Sequence, residues 1–173
     1  DIGKIAIPDA IMLKPDRLTP DEYEIMKTHT TRGYHLLNML DGISETNQYF
    51  KYCQEICKYH HERWDGRGYP DGLKGDETPI SAQIVALCDC YDALTSNRPY
   101  KTALEHQDAV DLILSGGCGA FSPQLIKAFN ECLNEFAKIV NELKNDSEEN
   151  GEGNKFTPII IPADTKVVDS PER

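Results

Sequence analysis

A chain of 173 residues, 39% hydrophobic and 27% charged, has the make-up of an ordinary water-soluble globular protein with one hydrophobic core. Its formal net charge of -11, from 29 acidic against 18 basic residues, excludes a fold-wide basic face for a nucleic acid polymer, although a local basic site for a small anion remains open. No apolar run approaches the roughly 18 residues of a membrane helix, Ile159-Ile160-Ile161 stopping at once, and no signal peptide is expected in a sequence that starts without Met.

The first stretch, 1–16, holds Pro8 and Pro15 and reads as irregular. Thr19 then offers an N-cap, Pro20 suits the first helical position, and Asp21 and Glu22 favour the positive end of the helix dipole. Tyr23, Met26, Thr30, Tyr34, Leu37 and Leu40 follow at helical spacing, which predicts one helix over 20–40 ended by Asp41-Gly42. A second helix is expected from about 45 to 61, with Tyr49, Tyr52, Cys53, Ile56 and Tyr59 on its apolar side. From 62 to 79 the glycines and prolines of Asp65-Gly66, Gly68, Pro70-Asp71-Gly72, Gly75 and Pro79 exclude regular structure and predict a folded, function-bearing loop.

Residues 80–94 are apolar enough for a buried helix, and 106–115 form a short one ended by Gly116-Gly117. Ser122-Pro123 repeats the cap-then-proline start, and Leu125, Phe129, Leu133, Phe136, Val140 and Leu143 carry a helix to about Lys144. No segment alternates as a strand does, so the expected fold is all-α. Residues 1–145 form the expected domain. Residues 146–173 form an acidic linker and a tail, which either docks as an extended arm, leads to a further domain or stays poorly ordered. None of the six cysteines, Cys53, Cys57, Cys88, Cys90, Cys118 and Cys132, makes a CxxC pair, and all read as reduced, mostly buried small apolar residues.

Three histidines and one aspartate need a chemical account. His60 and His61 are adjacent where the second helix meets the loop, His29 lies mid-helix, and Asp89 stands inside the apolar run from Ile84 to Tyr91. A buried carboxylate needs a hydrogen-bonding partner or a metal, and Asp89 alone does not decide between them. A lone His29 is more readily a satisfied core histidine than a ligand, and an adjacent pair of histidines is only suggestive. Imidazoles with carboxylates and no thiolate suit iron or manganese, with zinc also open.

The segment from His60 to Pro70, HHERWDGRGYP, resembles the signature of the HD-GYP family. Asp89-Cys90-Tyr91-Asp92-Ala93-Leu94-Thr95-Ser96 with Arg98-Pro99-Tyr100-Lys101 resembles the block that follows it, and Asp1-Ile2-Gly3-Lys4-Ile5, Leu13-Lys14-Pro15 and Leu18-Thr19 resemble the family's opening. The resemblance covers about 1–143. It implies an HD-superfamily helical bundle with an ordered GYP loop. It also implies a bacterial, cytoplasmic, metal-dependent phosphodiesterase that opens cyclic di-GMP to linear pGpG and on to GMP.

By the same resemblance, Asp1, His29, His60, His61 and Asp89 are ligands to two or three divalent ions, iron or manganese, and Asp1 bridges them. Lys4 contacts the scissile phosphate, and Tyr69, Arg98 and Lys101 hold the phosphates and bases. Trp64, Asp65 and Asp92 shape the loops. An upstream receiver or sensor domain, a diguanylate cyclase partner and a homodimer are implied as associations. Two alternatives stand beside this reading: a non-catalytic module that binds the dinucleotide or a protein, and an HD phosphohydrolase of another nucleotide.

The resemblance also places a histidine immediately before Asp1 and further helices and a carboxylate ligand upstream, so the given sequence is expected to start inside the motif with a depleted or altered metal site. Ser122 stands where many relatives have Asp. Both residues cap helices, and the change carries little functional weight.

Overall fold

A computed structural model describes residues 1–40, 47–97 and 102–149, with side chains to 142. Within these, α1 is Asp9–Met12, α2 Pro20–Lys27, α3 His29–Asn38, α4 Gln48–Tyr59, α5 Ile80–Thr95, α6 His106–Leu114, α7 Pro123–Glu131 and α8 Leu133–Glu149, with short 3-10 helices at Ile2–Ala6 and Gly75–Glu77. The described residues contain no strand, only one isolated antiparallel bridge between Asp65 and Lys74. The all-α expectation holds, and no described helix is long and apolar enough to cross a membrane.

The expected helix starts are present. Thr19 and Glu22 form a reciprocal capping box, the Thr19 hydroxyl accepting from the Glu22 N–H at 3.3 Å and the Glu22 carboxylate accepting from the Thr19 N–H at 2.7 Å. Asn47 and Ser122 cap α4 and α7 by a single side-chain bond each, accepting from the N–H of Tyr49 and of Leu125.

Five expectations need correction. Residues 1–16 are not wholly irregular, because Pro8 precedes the short α1 and the 3-10 turn lies before it. The helix expected over 20–40 is two helices meeting at Thr28, whose N–H and hydroxyl both donate to the Ile25 carbonyl; a bond to the residue three back tightens the turn there. The helix expected from Ser122 to Lys144 likewise breaks at Cys132, whose N–H donates to Phe129 O, and its second part runs on to Glu149. On α4 the buried residue is Cys57, whereas Tyr49 and Tyr52 are exposed. The cysteines are all free, but Cys88 and Cys132 are exposed. The Asp41-Gly42 break and the tail from Asn150 onward lie outside the described residues.

The chain falls into two compact units, 1–88 and 89–173. In the first, Ile7, Ile11, Met26, Cys57, Ala82, Ala86 and Leu87 are buried. The first 3-10 helix packs closely on the backbone of α3. A Cβ on Gly3 would fall 1.9 Å from the His29 carbonyl oxygen and 2.5 Å from the Gly33 nitrogen, and a Cβ on Gly33 would fall 2.9 Å from the Gly3 nitrogen. Two glycines facing each other let the chain start lie directly on the helix that carries His29. Arg32 adds a donor from α3 to the Ala6 carbonyl at 3.1 Å.

In the second unit, Leu94, Val110, Ile113 and Phe129 are buried around Tyr91, whose ring meets Phe129 and Phe136 edge-on at 6.1 and 4.9 Å. The Tyr91 hydroxyl and the His106 Nδ1 share a hydrogen bond of 2.7 Å.

Candidate metal centre

His29 opens α3, His60 caps the C-terminus of α4, and His61 is the first residue beyond that cap. All three are buried, and each offers a ring nitrogen within 4.8 Å of the others. The rings of His60 and His61 lie 4.1 Å apart, and His29 meets them edge-on at 5.4 and 5.2 Å.

Backbone carbonyls set two of the tautomers. The Nδ1 of His29 lies 2.8 Å from Met26 O, and the Nδ1 of His60 lies 2.7 Å from Ile56 O. A carbonyl only accepts, so both Nδ1 atoms carry the proton and both Nε2 atoms present a lone pair. Those two Nε2 atoms face each other at 3.4 Å.

Facing lone pairs repel unless a proton or a cation stands between them. Burial holds His29 down to about 3, against the pull of the Met26 carbonyl, and the nearby charges of His60 and Lys4 push the same way as burial. Burial, helped by His60 and His29, holds His61 well below its ordinary value as well. Neutral imidazoles with aligned lone pairs are what a divalent ion requires, and carbonyls on the far nitrogens are the outer partners that orient such ligands.

The chain start completes the cluster. Asp1 Oδ1 lies 3.5 Å from His29 Nε2 and 3.7 Å from His60 Nε2, and Asp1 Oδ2 accepts from Lys4 Nζ at 2.7 Å. The 3-10 turn, with the Lys4 N–H on Asp1 O at 3.0 Å, brings the buried Lys4 under the carboxylate. Five residues named from the sequence, Asp1, Lys4, His29, His60 and His61, are therefore brought together.

Tyr69 joins them from the loop. Its ring stacks on His61 at 4.7 Å and 23°, and its N–H donates to His61 O at 3.2 Å. Lys27 Nζ lies 5.8 Å from the Tyr69 ring and 5.5 Å from that of Tyr23. Asp89 belongs to the second unit, half-buried on α5. Arg98 and Lys101 lie outside the described residues. Within the loop Asp65 accepts from the N–H and side chain of Arg67, and Trp64 O accepts from Gly75 N. Asp92 lies on α5 rather than in a loop and accepts from the hydroxyl of Ser96, just past the end of that helix.

Sequence reasoning missed Glu62. It is buried beside His61, and its carboxylate accepts from three successive backbone N–H groups, those of Asp71, Gly72 and Leu73. The available signal was a glutamate in direct succession to two candidate ligands and ahead of a glycine-rich turn.

An all-helical protein with buried, pre-oriented imidazoles beside a carboxylate and a lysine belongs to the class that holds divalent metal. The HD domain profile matches residues 1–124, and the chain belongs to the HD domain family, with the HD-GYP loop at His60–Pro70. It is 46% identical over 130 residues to a probable cyclic di-GMP phosphodiesterase of Vibrio cholerae, covering 75% of this chain and 30% of that protein. It is 44% identical over 152 residues to a cyclic di-GMP phosphodiesterase of Thermotoga maritima, covering 87% and 40%. It is also 44% identical over 128 residues to the cyclic di-GMP phosphodiesterase response regulator RpfG of Xanthomonas campestris pv. campestris, covering 74% and 32%. The chain thus spans between 30% and 40% of the length of these curated relatives. HD domains bind divalent metal, and the three buried imidazoles are a donor set that fits one.

Proposed function

We propose that this chain is the hydrolytic domain of a metal-dependent phosphodiesterase that opens cyclic di-GMP to linear pGpG and continues to GMP. The observation that carries this reading is the pair of Nε2 lone pairs facing each other at 3.4 Å beside the carboxylate of Asp1. The cofactors are two or three divalent ions, iron or manganese, held by Asp1, His29, His60, His61 and Asp89. When bound, such ions supply positive charge against the phosphate oxygens and acidify the attacking water.

The chain's own groups do the rest. Met26 and Ile56 fix the tautomer and aim of His29 and His60 by accepting from their Nδ1 atoms, and burial keeps His29 neutral. Lys4 supplies a buried ammonium where negative charge develops as water adds to phosphorus and the bond to the leaving ribose oxygen breaks. Tyr69 forms an aromatic wall on His61, and Arg98 and Lys101 complete the hold on phosphates and bases. The full protein is cytoplasmic, joins this domain to a receiver or sensor domain, meets a diguanylate cyclase and forms a homodimer.

A second substrate is favoured by a specific observation: a 3'3'-cGAMP-specific phosphodiesterase of Vibrio cholerae is 37% identical over 139 residues. The test is to load the protein with Mn²⁺ or Fe²⁺, measure bound metal, and assay both cyclic dinucleotides by chromatography. Turnover of cyclic di-GMP with pGpG as the first product is expected. A metal-loaded protein that hydrolyses neither dinucleotide overturns the reading, and one that binds without turnover is a sensor instead.

A further inference from the structure

The turn after Tyr69-Pro70 has no ladder to hold it, and it is held instead from inside by one carboxylate. Glu62 is 3% exposed. Its Oε1 accepts from the N–H of Asp71 at 2.7 Å and of Gly72 at 3.0 Å, and its Oε2 accepts from the N–H of Leu73 at 3.1 Å. A carboxylate in such burial is costly unless it is hydrogen-bonded, and successive N–H groups of a turn are a natural anion cradle. Here the anion is the chain's own side chain.

The consequence lies in what sits at each end of that cradle. Glu62 directly follows His61. The cradled turn begins just past Tyr69, whose ring stacks on His61 and whose N–H donates to His61 O. Gly68 permits the closure, since a Cβ there would lie 2.4 Å from Glu62 Cα and 2.4 Å from Arg63 N. His61, Glu62, the turn and Tyr69 thus form a closed circuit. Lys58, on α4, clamps it from outside through an ion pair to Asp71 at 2.7 Å.

We propose that Glu62 is a positioning residue: by anchoring the turn at 71–73 it fixes the Tyr69 ring against His61, and so fixes the aromatic wall of the metal centre without touching metal or substrate. The substrate half of this proposal rests on the phosphodiesterase reading, whereas the loop half does not. A residue that acts through Tyr69 has no effect once Tyr69 is gone, whereas a residue that merely stabilises the fold keeps its effect in either background.

The experiment compares the Mn²⁺-loaded wild type with Glu62→Gln, Tyr69→Ala and the double variant. Gln preserves shape but turns one acceptor into a donor facing an N–H. The KM for cyclic di-GMP is expected to rise ~10-fold in Glu62→Gln, the scale of one lost charge-assisted hydrogen bond, with kcat moving less. The double variant is expected to match Tyr69→Ala.

Trp64, the single tryptophan of the chain, stands in the same loop and gives a readout independent of turnover. Acrylamide quenching of Trp64 is expected to increase in Glu62→Gln and to stay at the wild-type level in Tyr69→Ala. Should the Gln variant fail to fold, Glu62→Asp, which keeps the charge but shortens its reach, shifts KM and quenching in the same directions by less.

Multiplicative KM effects in the double variant, or unchanged Trp64 quenching in the Glu62 variants, overturn the proposal. A wild type inert towards cyclic dinucleotides overturns the phosphodiesterase reading alone, and Trp64 quenching then still decides whether Glu62 holds the loop.

Discussion

His29 shows how much one buried imidazole does before any ligand arrives. Its proton is tied to Met26 O, its lone pair points at His60, and burial holds it at about 3 against an ordinary 6.5. Below pH 6.5 the unfolded chain takes up a proton that the folded chain refuses. The stability present above pH 6.5 is therefore lost progressively as the pH falls toward 3. For metal-free protein we expect this single group to remove about 2 kcal/mol between pH 7 and pH 5, with His61 adding to the same slope. Urea unfolding at the two pH values measures it, and His29→Gln, which cannot titrate, should flatten the slope by about that amount. Lys4 makes the complementary case on the charge side. Lys4→Met should leave the imidazoles in place and metal content nearly unchanged, while kcat falls by about 100-fold or more if the ammonium acts on developing charge. Loss of metal in that variant would instead assign Lys4 to holding Asp1.

At the scale of elements, the decisive contact is the one between the first 3-10 helix and α3, because it puts Asp1 and Lys4 over His29. Gly3→Ala inserts a Cβ 1.9 Å from a carbonyl oxygen that is part of α3 backbone, so the two segments must part. We expect a loss of about 3 kcal/mol, at the upper end for overpacking, together with weaker metal binding; calorimetry and a Mn²⁺ titration read the two effects. The sequence displays this element poorly. A glycine facing a glycine leaves no hydrophobic pattern, and the stretch with Pro8 and Pro15 reads as irregular. Helix starts were legible because Thr19-Pro20 and Ser122-Pro123 state their caps locally. The breaks at Thr28 and Cys132 were not legible, because the apolar spacing runs through both and only the bonds to Ile25 O and Phe129 O mark the tighter turn.

At the scale of the whole molecule, folding and metal binding are expected to be one equilibrium. The three imidazoles come from α3, the end of α4 and the residue beyond it, so the donor set exists only once these segments have packed. Mn²⁺ at 100 times its dissociation constant should add about 2.7 kcal/mol to stability, and a chelator should reverse it; a melting temperature indifferent to both would separate the site from the fold. Of the motif residues, Asp1, Lys4, His29, His60, His61 and Tyr69 converge in the first unit. The place of Glu62 beside the candidate ligands was legible but its role was not, since no spacing rule says that a side chain will fold back onto amides nine to eleven positions ahead.

That same fold-back makes a statement about time as well as place. Asp71 and Gly72 are exposed and belong to no helix or strand, so their amides would ordinarily trade protons with water almost at once. Bonded to a buried carboxylate, these amides become accessible to solvent deuterium only when the turn lifts off Glu62. Their exchange lifetimes therefore clock the opening of the loop itself, one amide at a time, in a region where a static description shows only a surface turn.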